Sequence, residues 1–148
     1  FQTPNMGSWK YAERCRQRKE KVTAMLSLET IGYYSDQPDS QNFPHPLLRK
    51  AYPTTGNFVA FVGAQASGEL VRQCVGAFRK AADFPCEGAA LPGNLTGVGW
   101  SDHWSFQSHQ YPALMVTDTA PFRYVHYHEE TDTPDKLDYE RFARVVEG

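Results

Sequence analysis

Apolar positions along the chain come in two alternating rhythms: short continuous runs, and longer stretches with a 3.6-residue period. "AMLSLE" (24–29), "NFVAFV" (57–62) and "PALMVTD" (112–118) are the short runs and predict strands. The second and third are nearly unbroken in their apolar character, as expected of strands covered on both faces. "CEGAAL" reads as a further short strand. Between these runs, Leu70, Val71, Cys74, Val75, Phe78, Ala81 and Ala82 recur at helical spacing behind Ser67, a helix cap by type. Residues 8–21 are polar, good helix formers, with Ser8 as the expected cap. "SDHWSFQSH" predicts a short helix begun by Ser101 or Asp102. A last helix is expected to open at Thr133-Pro134 and to present Tyr139, Phe142, Ala143 and Val146 on one face. From Tyr34-Ser35-Asp36 to Pro53 the chain is too rich in Pro, Ser, Asp and Asn for regular structure.

Strands and helices in alternation predict an α/β fold, a three-layer α/β/α sandwich with a mainly parallel sheet. Such sheets take ligands in the crevice beyond the carboxyl ends of their strands. Glu29 ends the first strand and Asp118 ends the "ALMVT" strand. Both carboxylates should therefore lie at the same end of the sheet as the loop "YVHYHEETDT", which holds His126 and His128.

Composition narrows the field. At 148 residues the chain is one domain, able to bury a core without disulfide staples. A formal charge of -2 and a pI near 6.2 give no electrostatic footprint for nucleic acid. The basic run "ERCRQRKEKV" is diluted by glutamate and reads as a solvated helix face. The apolar runs are too short to span a membrane. Cys15, Cys74 and Cys86 show no CxxC spacing, so neither a disulfide framework nor a cysteine zinc site is expected. Nothing in the sequence assigns a compartment.

Zinc accepts imidazole nitrogen and carboxylate oxygen, and catalytic sites keep one position open for water. Glu29 and one loop histidine would be two ligands from distant parts of the chain. Spacing does not choose between His126 and His128, because residues two apart in an extended segment point the same way. The plain alternative is that Glu29 caps a helix or pairs with Arg123, and that the histidines are ordinary loop residues.

Four segments, "MLSLETIGYYSD", "YPTTGNFVAFVG", "GWSDHWSF" and "PALMVTDTAPFRYVHYHEETDTPDKLDYERFARVV", taken together resemble the C-terminal half of the zinc-dependent aminopeptidases of the bacterial leucyl aminopeptidase type. The resemblance runs from about Met6 to the end. Its motifs are a carboxylate ending an "SLE-x-IGY" strand, then "SDH-x-x-F", then "YH-x-x-TDT" before the last helix. It implies a zinc-exopeptidase-like domain with a co-catalytic pair of zinc ions. Carried over, Glu29 matches the carboxylate ligand of one zinc and His128 the histidine ligand of the same ion. Tyr127 matches a tyrosine that in some relatives donates to the oxyanion of the tetrahedral intermediate. Asp102 matches a carboxylate that orients site groups, with capping of the following helix as its rival role. Asp118 and Arg123 lie beside the crevice, to shape the pocket or form an ion pair. The chain departs from the pattern at His126 and Glu129, where relatives often carry a non-histidine residue and Thr or Ser.

The resemblance also implies that much is missing. The family's domain is about twice as long, and its N-terminal half carries an HxD motif and a glutamate pair, one the general base and one a ligand. Residues 1–28 contain no His and no Asp. The expectation is a domain apparently truncated on its N-terminal side: residues 1–148 as the C-terminal portion of one catalytic domain, with at most one partial zinc site and no peptidase activity alone. Its expected partners are a peptide substrate and, through an exposed apolar face, a second copy or the missing N-terminal half. No nucleic-acid or membrane partner is expected. Two other readings are a glutaminyl cyclase-like zinc transferase, which shares the "DH-x-x-F" segment with Asp102 at a functional position, and a non-catalytic peptidase-like interaction domain.

Overall fold

The computed structural model describes residues 2–148. Four strands form one sheet: β1 (Met25–Glu29), β2 (Val59–Ala64), β3 (Cys86–Leu91) and β4 (Ala113–Thr117), in the order β1-β4-β2-β3. The pairs β1/β4 and β2/β3 are parallel, whereas β2 runs antiparallel to β4. The sheet is mainly parallel, as expected, but consists of two parallel pairs of opposite sense. β1 and β4 therefore place their carboxyl ends together at one end of the sheet, and β2 and β3 place theirs at the other.

All five residues of β4 are buried, which explains why this central strand reads as an apolar run. On one face, Leu114 and Val116 pack with Val59 and Phe61 against helix α2 (Gly68–Ala81) and against Val145 of helix α4 (Tyr139–Glu147). Val71, Val75 and Phe78 are the buried face of α2, and Leu70, Cys74 and Ala82 pack beside them. The helix lies so close to β3 that a Cβ at Gly88 would come within 2.9 Å of Val75. On the other face, α1 (Gly7–Gln17) and α3 (His103–Ser108) enclose Ala12, Cys15, Phe106, Tyr111 and Ala113. The result is the expected three layers, with helices on both sides of the sheet. No helix among the described residues is long and apolar enough to cross a membrane.

Helix ends and caps differ from expectation at four points. Helix α1 stops at Gln17 because Lys19 adopts φ 55°, so that Glu20 N–H donates to Cys15 O (2.9 Å) and Lys19 N–H to Arg16 O (3.0 Å). That pair of bonds is a Schellman stop. Ser8 does not cap α1. Its hydroxyl meets that of Ser105 on α3 at 2.9 Å and joins the two helices. Ser67 likewise makes no cap bond, its hydroxyl accepting from Gln107 Nε2 (3.3 Å). Thr133-Pro134 opens only a 3₁₀ turn, Pro134–Lys136; α4 begins later, capped by Asp138, which accepts from Arg141 N–H at 2.9 Å.

Val145 is 6% exposed, whereas Val146 is 65% and Tyr139 57% exposed, so the buried face of α4 is offset from the expected one. Removing two buried methylene-sized groups costs about 2 kcal/mol, with the cavity left behind included. Val145→Ala should therefore lower the free energy of unfolding in urea by about 2 kcal/mol, and Val146→Ala by about 0.5 or less.

His103, in the "SDH" segment, is fully buried and its Nε2–H donates to Val98 O at 2.7 Å, while Nδ1 has no partner. Burial pushes its imidazole below the ordinary histidine range. The unfolded chain takes up this proton near pH 6.5, the folded chain only at lower pH, so the unfolded state binds more protons in that window. Stability should accordingly fall as pH drops below about 6.5, and His103→Gln, which keeps a donor for Val98, should reduce that slope in urea titrations between pH 7 and 5.

Candidate functional site

A cleft of about 100 Å³ opens over the face of the sheet that α1 and α3 leave bare. Its floor follows from strand register. Thr117 of β4 pairs with Glu29 of β1 on one side and with Ala60 of β2 on the other, and Ala60 pairs with Glu87 of β3. Glu29, Thr117, Ala60 and Glu87 thus form one row across all four strands, and all four line the cleft. Two small residues in the middle leave space above the sheet, with a carboxylate at each end. Phe43, Leu48 and Tyr52 from the long 30–58 segment, and Phe122 from the exit of β4, make apolar walls.

Tyr127 reaches the cleft from the loop after β4. Its phenol is pushed above the ordinary range by burial and then by the negative charges of Glu29 and Asp118. It is a protonated donor at neutral pH, within the field of Glu29. His128 is exposed and does not line the cleft; its ring stacks on Tyr127 with centroids 4.1 Å apart and planes 18° from parallel. His128 has φ 61°, a left-handed backbone rare outside glycine. His126 turns elsewhere: Nδ1 lies 2.7 Å from the Thr131 hydroxyl, and the ring meets Tyr124 edge-on. The structure thus joins Glu29 with Tyr127, and Tyr127 with His128, in one corner.

Asp118 is buried and faces backbone. Its Oδ2 accepts from Gly32 N–H (3.0 Å) and Tyr33 N–H (2.8 Å), and Oδ1 from Ala120 N–H (3.0 Å). Burial nonetheless wins over these bonds and pushes its carboxyl above the usual carboxylate range. Arg123 is also buried. Its Nε donates to Gln41 Oε1 (2.8 Å) and an Nη to Phe58 O (3.0 Å), with the guanidinium 4.7 Å from the Phe58 ring centre. Burial pulls the guanidinium down to about 10, still charged at neutral pH. Neither residue lines the cleft. Asp118 ties the exit of β1 to that of β4, and Arg123 pins the segment that forms the cleft wall. Asp102 is exposed at the start of α3, makes no side-chain cap, and stands off the cleft.

Sequence reasoning missed Glu87. The signal was present in "CEGAAL", where Glu87, Ala89 and Leu91 alternate onto one face, but only pairing with β2 shows which face that is.

Zinc needs three protein ligands or more. Among the described residues no three His, Cys, Asp or Glu side chains converge as a metal site. Glu29 and His128 are two donors of the right chemistry, and this chain's own residues do not fit a complete metal centre.

A sequence profile of peptidase family M28 matches residues 4–148. The chain is 38% identical over its 148 residues to the uncharacterized protein YfbL of Escherichia coli (strain K12), covering all of this chain and 45% of that protein. It superposes on the crystal structure of the Legionella pneumophila LapA aminopeptidase with a TM-score of 0.54 at 16% identity, over 95% of this chain and 33% of that one. The chain therefore spans less than half the length of either protein, and the structural likeness speaks for the fold. With a match that extends across nearly every residue, the chain belongs to peptidase family M28.

Proposed function

We propose that this chain forms the C-terminal portion of a single metallo-aminopeptidase catalytic domain and supplies one side of a cleft in which N-terminal residues are removed from peptides. The observation that carries this reading is the convergence of Glu29 and Tyr127 on one apolar cleft, at the carboxyl end of two parallel strands. Membership of a peptidase family supports it. In this reading Glu29 and His128 are two ligands toward a co-catalytic zinc pair whose remaining donors, and the general base, lie outside these residues. When bound, such ions polarise a carbonyl and supply hydroxide.

The residues present have separate tasks. Tyr127 keeps its proton and donates to the oxyanion that develops on the scissile carbonyl. Phe43, Leu48 and Phe122 take up the side chain of the N-terminal residue and exclude water. Asp118 and Arg123 hold the loops that bear these groups.

The sheet edge supports an incomplete domain. β1 is an edge strand whose Leu26 and Leu28 are 44% and 67% exposed, a surface that further strands or helices would cover. The cyclase alternative gains nothing from Asp102, which stands off the cleft. An interaction domain without chemistry is the outcome if no activity is found.

The full-length protein, supplied with zinc, should hydrolyse chromogenic amino-acid amides in a chelator-sensitive manner. The isolated 148-residue chain should not. Absence of turnover by the full-length protein would overturn the aminopeptidase reading, and turnover by the chain alone would overturn the need for outside donors. In the full-length protein Tyr127→Phe should lower kcat by about 10²–10³ with KM little moved, the signature of a donor used in the transition state.

A further inference from the structure

Among the residues that line the cleft only Glu29 and Glu87 carry charge; no Lys, Arg or His is present to balance them. If Glu29 serves a metal, Glu87 is left without a task. It is half-buried, and no described side chain hydrogen-bonds to it or pairs with it. The groups near it are committed elsewhere. Arg79, on α2, gives its Nη to Cys86 O at 2.9 Å, and Tyr52 gives its hydroxyl to Gly88 O at 3.1 Å. Tyr52 nevertheless feels the Glu87 charge, which helps burial to push its phenol up.

We propose that Glu87 is a specificity-determining residue, and that the cleft selects peptides whose N-terminal residue carries a cationic side chain, lysine or arginine. This rests on the aminopeptidase reading and deepens it. Neighbouring strands lie about 4.8 Å apart, so the three steps of the row from Glu29 to Glu87 span roughly 14 Å. Side chains stand roughly perpendicular to the sheet, which keeps the two carboxylates about that far apart. The substrate backbone at the Glu29 and Tyr127 end fills part of the span. The remainder suits an extended lysine or arginine, whose charged end lies about 6–7 Å from Cα at ~1.5 Å per bond. Leucine stops well short of Glu87 and leaves the carboxylate unpaired in an apolar wall.

The walls fit the same ligand. Leu48, Tyr52 and Leu91 offer apolar surface for the alkyl stem of a long cationic side chain, whose charged head then meets the carboxylate. A partly desolvated ion pair of this kind contributes more than a surface one, and the absence of any resident cation leaves Glu87 available for it.

The test uses the full-length protein with zinc and two substrates that differ only in the terminal ammonium, the lysine and norleucine p-nitroanilides. The lysine substrate should have the higher kcat/KM by at least tenfold, and the ratio should fall at least tenfold in Glu87→Gln and invert in Glu87→Lys. Direct titration of lysinamide and norleucinamide by calorimetry gives a readout independent of turnover, with the same order and the same dependence on Glu87. Hydrolysis of both anilides at similar rates, with a ratio unmoved by Glu87→Gln, would overturn this proposal while the aminopeptidase reading stands. Absence of hydrolysis of either would overturn that reading. Equal binding of the two amides would then overturn this one as well, whereas tighter, Glu87-dependent binding of lysinamide would sustain the cation preference.

Discussion

The Asp118 carboxylate is the constraint on which the functional end of this molecule depends. It takes the amide hydrogens of Gly32 and Tyr33, just past β1, and of Ala120, just past β4. Its own amide donates to Thr30 O at 2.7 Å. Two strands that are far apart in sequence thereby leave the sheet as a single unit. Glu29 lies one residue before this junction on β1, and the loop bearing Tyr127 and His128 follows it on β4. The cost of burying a carboxylate is tolerated because its oxygens are occupied by backbone donors that would otherwise have none.

Left-handed backbone occurs on both strand exits at this junction and again in the loop that follows. Thr30, Thr119 and His128 all have positive φ, and for a β-branched residue such as threonine that conformation is a genuine outlier. Each threonine is held by specific bonds: Thr30 through its carbonyl to Asp118, and Thr119 through its hydroxyl to Gln41 at 2.9 Å. Gln41 also accepts from Arg123, so one buried amide fixes both the β4 turn and the cleft wall. Strain of this kind persists only where surrounding contacts over-determine it, and it gathers at working sites.

Most elements were legible in the sequence because apolar rhythm reports burial directly: β3 falls on "CEGAAL" and α2 buries the expected face. Strand direction was not legible, since alternation is the same read either way, and the antiparallel β2/β4 contact appears only in the fold. Cap residues misled because Ser8 and Ser67 found partners across the core that local sequence does not reveal. Glu29 and Tyr127, which the motif resemblance singled out, line one cleft. The burial of Asp118 and Arg123 beneath the loops was not legible, because charged residues are expected at the surface until backbone partners are seen.

The uncovered leucines of β1 make this polypeptide's stability a property of its surroundings as well as of its own contacts. Anything that binds the folded form along that strand, and ignores the unfolded one, shifts the folding equilibrium by mass action in proportion to the logarithm of its concentration. The same edge leaves one row of β1 backbone groups without a strand beside it, the arrangement through which sheets accept a further strand.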